Sequence, residues 1–103
     1  MKVDPILEEA WRIKDELGSI RVFDRRRIVS EIKTQLPHEP TVETRHRKSL
    51  GSATPGFEHA APVWEFRVGD FRVFYDVNES EQRVYVRAVR HKAPNQTTEE
   101  VIS

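Results

Sequence analysis

Arg67 and Arg72 flank a Gly69-Asp70 turn within residues 64–75, WEFRVGDFRVFY. Apolar residues alternate with others on both sides of that turn, the pattern of two strands. A two-residue hairpin sets Val68 opposite Phe71 and Arg67 directly across from Arg72. Residues in register on neighbouring strands share a face, so the two guanidiniums point the same way. Like charges facing each other destabilise a sheet, and a polyanion bound on that face rewards the pairing. The competing reading is a surface ladder neutralised by Glu65, diagonal to Arg72, and by Asp76. A second basic run, Arg45-His46-Arg47-Lys48, lies in residues 41–50 (TVETRHRKSL). It is either a solvated loop or a phosphate contact that weakens with salt.

The elements that must position these groups follow from periodicity. Asp4 as N-cap and Pro5 at the first helical position predict a helix. Ile6, Ala10, Ile13 and Leu17 continue it at helical spacing, with Leu7 and Trp11 beside them and Gly18 as the C′ residue. A second helix is expected from about residue 24 to 36, with Ile28, Val29, Ile32 and Leu36 as its apolar stripe and Pro37 ending it. Arg25, Arg26 and Arg27 open this helix, where the dipole disfavours cations. They form a solvated face paired with Glu31, or a second anionic contact. Residues 37–62 form a polar connection longer than ordinary loops, hence functional or mobile. Strands are expected at about 63–68, 71–77 and 83–91, with a polar turn at 78–82. In the tail, 93–103, Thr97 and Glu100 have capping-box spacing for a short helix.

Two helices followed by an antiparallel meander predict an α+β fold, with the helices on one face of a small antiparallel sheet. One domain spans residues 1–103, comprising a helical part at 4–36, a long loop at 37–62, the meander at 63–92 and the tail. Trp64, Phe66, Val68, Phe71, Val73, Tyr75 and Val77 are expected to face the helices, matched by Val84, Val86 and Ala88. The opposite face then shows Glu65, Arg67, Arg72, Phe74, Asp76, Tyr85, Arg87, Val89 and His91. It is cationic and partly aromatic, and Phe74 and Tyr85 are its candidates for base stacking.

Composition bounds the function. The chain has 103 residues, 37% hydrophobic and 33% charged, enough for one core without staples. Its 17 basic and 17 acidic residues cancel, so any anion site is local rather than a property of the whole surface. It has no cysteine, which excludes thiol catalysis and disulfides and fits a reducing cytoplasm. No apolar run is long enough to span a membrane, and the start has no export signal core. No metal-ligand spacing recurs, so neither a metal nor another cofactor is expected.

Residues 64–77 (WEFRVGDFRVFYDV), preceded by 43–50 (ETRHRKSL) and followed by 84–92 (VYVRAVRHK), resemble the RelE/ParE superfamily of type II toxin–antitoxin toxins. The resemblance covers about the C-terminal two thirds. The family usually opens with an edge strand before its first helix, for which only residues 1–4 are available here. It implies a small cytoplasmic α+β toxin neutralised by a cognate antitoxin. RelE-like members cleave messenger RNA, typically on the ribosome. Attack by the 2′-hydroxyl leaves a 2′,3′-cyclic phosphate and a free 5′-hydroxyl. ParE-like members inhibit DNA gyrase instead, and other members show little or no toxicity.

The resemblance assigns roles residue by residue. Arg72 matches the arginine after the turn that contacts the scissile phosphate, and Arg67 shares the task from across the hairpin. Arg90, His91 and Lys92 match the family's basic cluster, with His91 as acid or base and Arg90 or Lys92 stabilising charge. Beside the resemblance, the charge of the long loop makes Arg45, His46, Arg47 and Lys48 candidate RNA contacts, with His46 a second acid–base candidate. Phe74, Tyr85 and Arg87 are candidate RNA contacts because they share the arginine face. Two departures stand out. Lysines common on the strand entering the hairpin are replaced by Val63 and Glu65. The tyrosine found past the basic cluster in some members is missing from residues 93–98 (APNQTT).

Overall fold

The computed structural model describes residues 18–103 and the backbone of residues 4–6. The hairpin forms as its alternation and turn residues dictate. Strand β3 (Trp64–Val68) and strand β4 (Phe71–Asn78) are antiparallel, with Val68 opposite Phe71 and Arg67 opposite Arg72. Gly69 adopts φ 57, a conformation that costs glycine little and other residues more. Strand β5 (Arg83–His91) returns beside β4. Strand β2 (Arg47–Ser49) pairs antiparallel to β3, and strand β1 (Asp4–Ile6) runs parallel to β5. The five-stranded sheet therefore has the order β1-β5-β4-β3-β2.

Helix α1 (Val22–Gln35) packs on one face of the sheet through Ile28 and Ile32, continued by Leu36 just past its end. All three are fully buried against Phe66, Val68, Val73, Tyr75, Val84, Val86 and Val89. Arg21 at the N-cap makes no side-chain capping bond, so packing rather than capping holds the helix. Tyr75 donates its hydroxyl to the Pro40 carbonyl at 2.6 Å, which anchors the following loop to this core. Burial pushes the Tyr75 phenol well above its ordinary range, with nearby Arg47 opposing.

Several expectations need correction. The helix predicted to start at Asp4-Pro5 does not start there, because residues 4–6 form β1. A residue before proline favours extended backbone, and proline's missing donor is tolerated on an edge strand. The rest of that predicted helix, residues 7–17, lies outside the described residues. Among the described residues one helix, not two, spans several turns ahead of the β2–β5 meander. The connection at 37–62 is not all loop, since its middle folds into β2. There Thr44 and Arg47 close a tight turn, each amide bonding the other's carbonyl, and Leu50 N–H reaches the Val63 carbonyl.

Strand β5 changes phase halfway. Phe74 faces Ala88 while Tyr75 faces Val86, which leaves Arg87 as the extra residue of a bulge. Beyond it Ala88 and Arg90 share the face of Phe74 and Arg72, whereas Val89 and His91 turn to the helix side. The expected grouping of Ala88 with the helix core, and of Val89 and His91 with the arginines, is reversed by that one residue.

The second face is not open either. Phe74 and Ala88 are fully buried there beneath Phe57, Val63, Val101 and Ile102. The last two come from helix α2 (Thr98–Ile102). Thr97 caps it as expected. Its hydroxyl accepts from Glu100 N–H at 3.3 Å, and the Glu100 carboxylate accepts from Thr97 N–H at 3.1 Å. Thr97→Ala should therefore cost about 1 kcal/mol, read as a lower midpoint in urea unfolding.

Candidate anion-binding site

The hairpin and β5 build a cationic row at one end of the sheet. Arg67 is opposite Arg72, and Arg72 is opposite Arg90. On the other flank of Arg67 lies His46, whose carbonyl accepts the Arg67 backbone N–H at 2.8 Å. Lys92 is tied to the turn itself through a bond from its N–H to the Asp70 carbonyl at 2.8 Å. Three strands thus carry arginines in register, an arrangement the ladder geometry forces once the register is fixed.

Arg72 is the centre of this row and is only 8% exposed. Its Nη1 donates to the Gly69 and Phe71 carbonyls, both at 2.9 Å. Its Nε is buried and has no hydrogen-bond partner. Burial is the first cause that lowers the Arg72 pKa, followed by repulsion from Arg67, with Glu65 and Asp70 opposing. Arginine keeps its proton regardless, so the result is a charge held at elevated potential. An anion placed against Arg67 and Arg72 relieves that potential.

The carboxylates expected to neutralise the pair are engaged elsewhere. Asp76 is buried and accepts from Arg87 at 2.7 and 3.2 Å and from Ala60 N–H at 3.0 Å. It is four residues along β4 from Arg72, about 13 Å away. Glu65 lies 3.7 Å from Lys48 Nζ and accepts from the Thr98 hydroxyl at 3.1 Å. It reaches Arg72 only as a background charge.

The remaining predicted site residues divide. Arg45 and His46 stay beside Arg67, lining a small pocket with Lys48 and Glu65. Arg90 donates to the Val101 and Ser103 carbonyls, and its guanidinium lies 5.2 Å from the Phe57 ring centre, so it also fastens α2 to the sheet. Arg47 donates to the Gln35 and His38 carbonyls, where it caps the end of α1. Four residues are placed away from the row. His91 packs edge-on against Phe71 at 5.5 Å on the helix side. Phe74 is core, not a stacking surface. Tyr85 donates to Glu81 at 2.8 Å, and Arg87 lies over Tyr85 while bonded to Asp76. These contacts lie toward the far end of β4.

Sequence reasoning left Arg27 between a solvated face paired with Glu31 and a second anionic contact. Arg27 of α1 stretches across the hairpin turn, its Nη1 2.9 Å from where a Cβ on Gly69 would stand. A Cβ at Gly69 would push this guanidinium aside. Arg27, His46, Arg47 and Arg67 line a groove of about 610 Å³ whose floor includes Phe66 and Val68. The run Arg25-Arg26-Arg27 was visible in the sequence, but its approach to the turn is a tertiary fact.

A family model described as the ParE toxin of the type II toxin–antitoxin system, parDE, matches residues 8–95. The fold is similar to a chain in the crystal structure of the archaeal RelE–RelB complex from Pyrococcus horikoshii. That match has 20% identity and a TM-score of 0.61, and covers 90% of this chain and 97% of the other. It is also similar to a chain in the toxin–antitoxin complex RelBE2 from Mycobacterium tuberculosis. There the identity is 18% and the TM-score 0.63, with 89% of this chain and 92% of the other covered. No curated protein matches the chain in sequence. No helix among the described residues is long and apolar enough to cross a membrane.

Proposed function

The chain belongs to the ParE toxin family of type II toxin–antitoxin systems, and from the geometry of its arginine row we propose that it acts by cutting messenger RNA on the ribosome. The observation that carries this reading is the in-register pair Arg67 and Arg72, with Arg72 desolvated and its Nε unpartnered. A phosphodiester seated there meets two guanidinium charges on one face of the hairpin.

Cleavage proceeds by attack of the 2′-oxygen on the adjacent phosphorus, with the 5′-oxygen leaving. One group takes the 2′-hydroxyl proton and another gives a proton to the 5′-oxygen, yielding a 2′,3′-cyclic phosphate and a 5′-hydroxyl. Negative charge builds on the non-bridging oxygens as the bond forms. Arg67 and Arg72 offset it from positions fixed by the hairpin. His46, next to Arg67, supplies the acid–base imidazole in place of His91, which is on the other side of the sheet. Lys92 adds charge beside the turn. Relatives of the same fold are toxins in complex with antitoxins, which supports a cognate antitoxin as partner.

A second reading, non-enzymatic inhibition of DNA gyrase, is favoured by the separation of His91 from the arginine row and by the ParE description of the family. Incubation with messenger RNA and translating ribosomes, followed by mapping of 5′-ends, separates the two. New 5′-hydroxyl ends are the expected result. Intact RNA together with blocked gyrase supercoiling would replace the first reading by the second.

A further inference from the structure

The groove beside the hairpin contains a cation that neither the fold nor the proposed chemistry requires. Arg27 is exposed and sits in the first half of α1. Glu31 is one turn further along and is the neutralising partner that helical spacing offers. That ion pair is not formed, and among the described residues Arg27 has no carboxylate partner. Its guanidinium instead lies over Gly69, with Nη1, Cζ and Nη2 at 2.9, 3.5 and 3.6 Å from the position of a Cβ. This brings it to the same turn that carries Arg67 and Arg72, although its backbone belongs to another layer of the molecule. Arg27, Arg47 and Arg67 line one groove with a single carboxylate, Glu31, which is not ion-paired to Arg27.

The space between them has a shape as well as a charge. Phe66 and Val68, both nearly buried, contribute to its floor, and Arg27, His46 and Arg67 stand among its walls. Gln35 and Thr44 add uncharged polar groups. An apolar floor framed by guanidiniums suits a nucleotide, whose base covers the floor while its phosphate meets planar donors. A volume of about 610 Å³ admits such a unit.

We propose that Arg27 and the groove it lines form a second phosphate subsite, which holds the nucleotide adjoining the one whose phosphate sits on Arg67 and Arg72. This rests on the RNA reading of the arginine pair and extends it along the strand. The site is assembled from two layers: α1 supplies the outer arginine and the hairpin supplies the inner pair. Gly69 then serves twice, through its positive φ and by letting the Arg27 guanidinium lie close over the turn.

The test uses the full chain and 2′-O-methyl oligoribonucleotides, which bind but cannot be cut by 2′-hydroxyl attack. Arg27→Ala should weaken a hexanucleotide about tenfold and reduce the slope of log affinity against log salt by about 0.7. A dinucleotide, with its single phosphate on Arg67 and Arg72, should bind as before. Arg27→Lys should recover part of the loss, because it restores the charge without the fork. An unchanged melting temperature in both variants confirms that the fold is intact. The proposal is overturned if Arg27→Ala binds the hexanucleotide like the wild type, if no strand binds the wild type, or if an oligoglutamate peptide responds as strongly as the RNA. If binding depends on Arg27 while ribosomal messenger RNA stays whole, the subsite stands and the nuclease reading falls.

Discussion

Cells expressing Arg72→Ala should grow as if uninduced, whereas the wild-type chain should arrest them. Among the described residues Arg72 is the guanidinium held almost out of water with an unsatisfied Nε, and it faces Arg67 across the hairpin. Removing a preplaced donor from developing phosphate charge costs roughly a hundred- to a thousandfold in rate. The fold should survive. Truncation forfeits packing along the arginine stem, but it also removes a desolvated charge and its repulsion with Arg67, and these offset one another. A melting temperature close to that of the wild type, with growth restored, is the expected pair of results. Arg72→Lys keeps the charge without the two-pronged geometry and should fall between. A fully toxic Arg72→Ala chain that melts normally would remove Arg72 from the mechanism.

Phe74→Ala should be the most damaging single truncation for stability. The ring is completely buried, 5.7 Å from Phe57 at ring centres, and with Phe57 it is the largest side chain of the cluster that joins the sheet to α2. Losing a buried phenylalanine costs about 3–5 kcal/mol, a large part of the 5–15 kcal/mol that holds a typical domain. The melting temperature should fall by more than about 10 °C, and urea unfolding should shift to a lower midpoint. If Phe74 were a solvent-facing stacking platform, the same change would leave both values nearly unaltered. The measurement therefore separates a covered face from an open one.

The hairpin was legible because its signals are adjacent in the chain: alternation on both sides of Gly69-Asp70 fixes register, and register fixes the Arg67–Arg72 pairing. The apolar stripe Ile28, Ile32 and Leu36 and the Thr97–Glu100 cap were legible for the same reason, since each is closed within a few residues. What escaped the sequence is set by partners far away in it. β1 and β2 are strands only because β5 and β3 offer them backbone groups, and three residues carry no periodicity of their own. The bulge at Arg87 left one trace, the consecutive apolar pair Ala88-Val89, which breaks strict alternation. Missing it put His91 on the wrong side, and the cover over Phe74 came from Phe57, Val63 and α2, distant in the chain. The arginines of 45–48 and 87–90 look alike in sequence, yet Arg47 caps a helix, Arg87 satisfies a buried carboxylate and Arg90 pins the tail. Only burial and partner geometry separate such roles.

The enclosure of Arg72 also bears on ionic strength. Its hydration shell is largely stripped when the chain folds, so a ligand arriving there displaces little water and finds the dipoles already aligned. Mobile ions screen such a recessed charge far less than they screen Arg27 or Arg45 at the rim. If the proposed strand binds here, its hold on the rim should fade first as salt rises, with the contact at Arg72 the last to go.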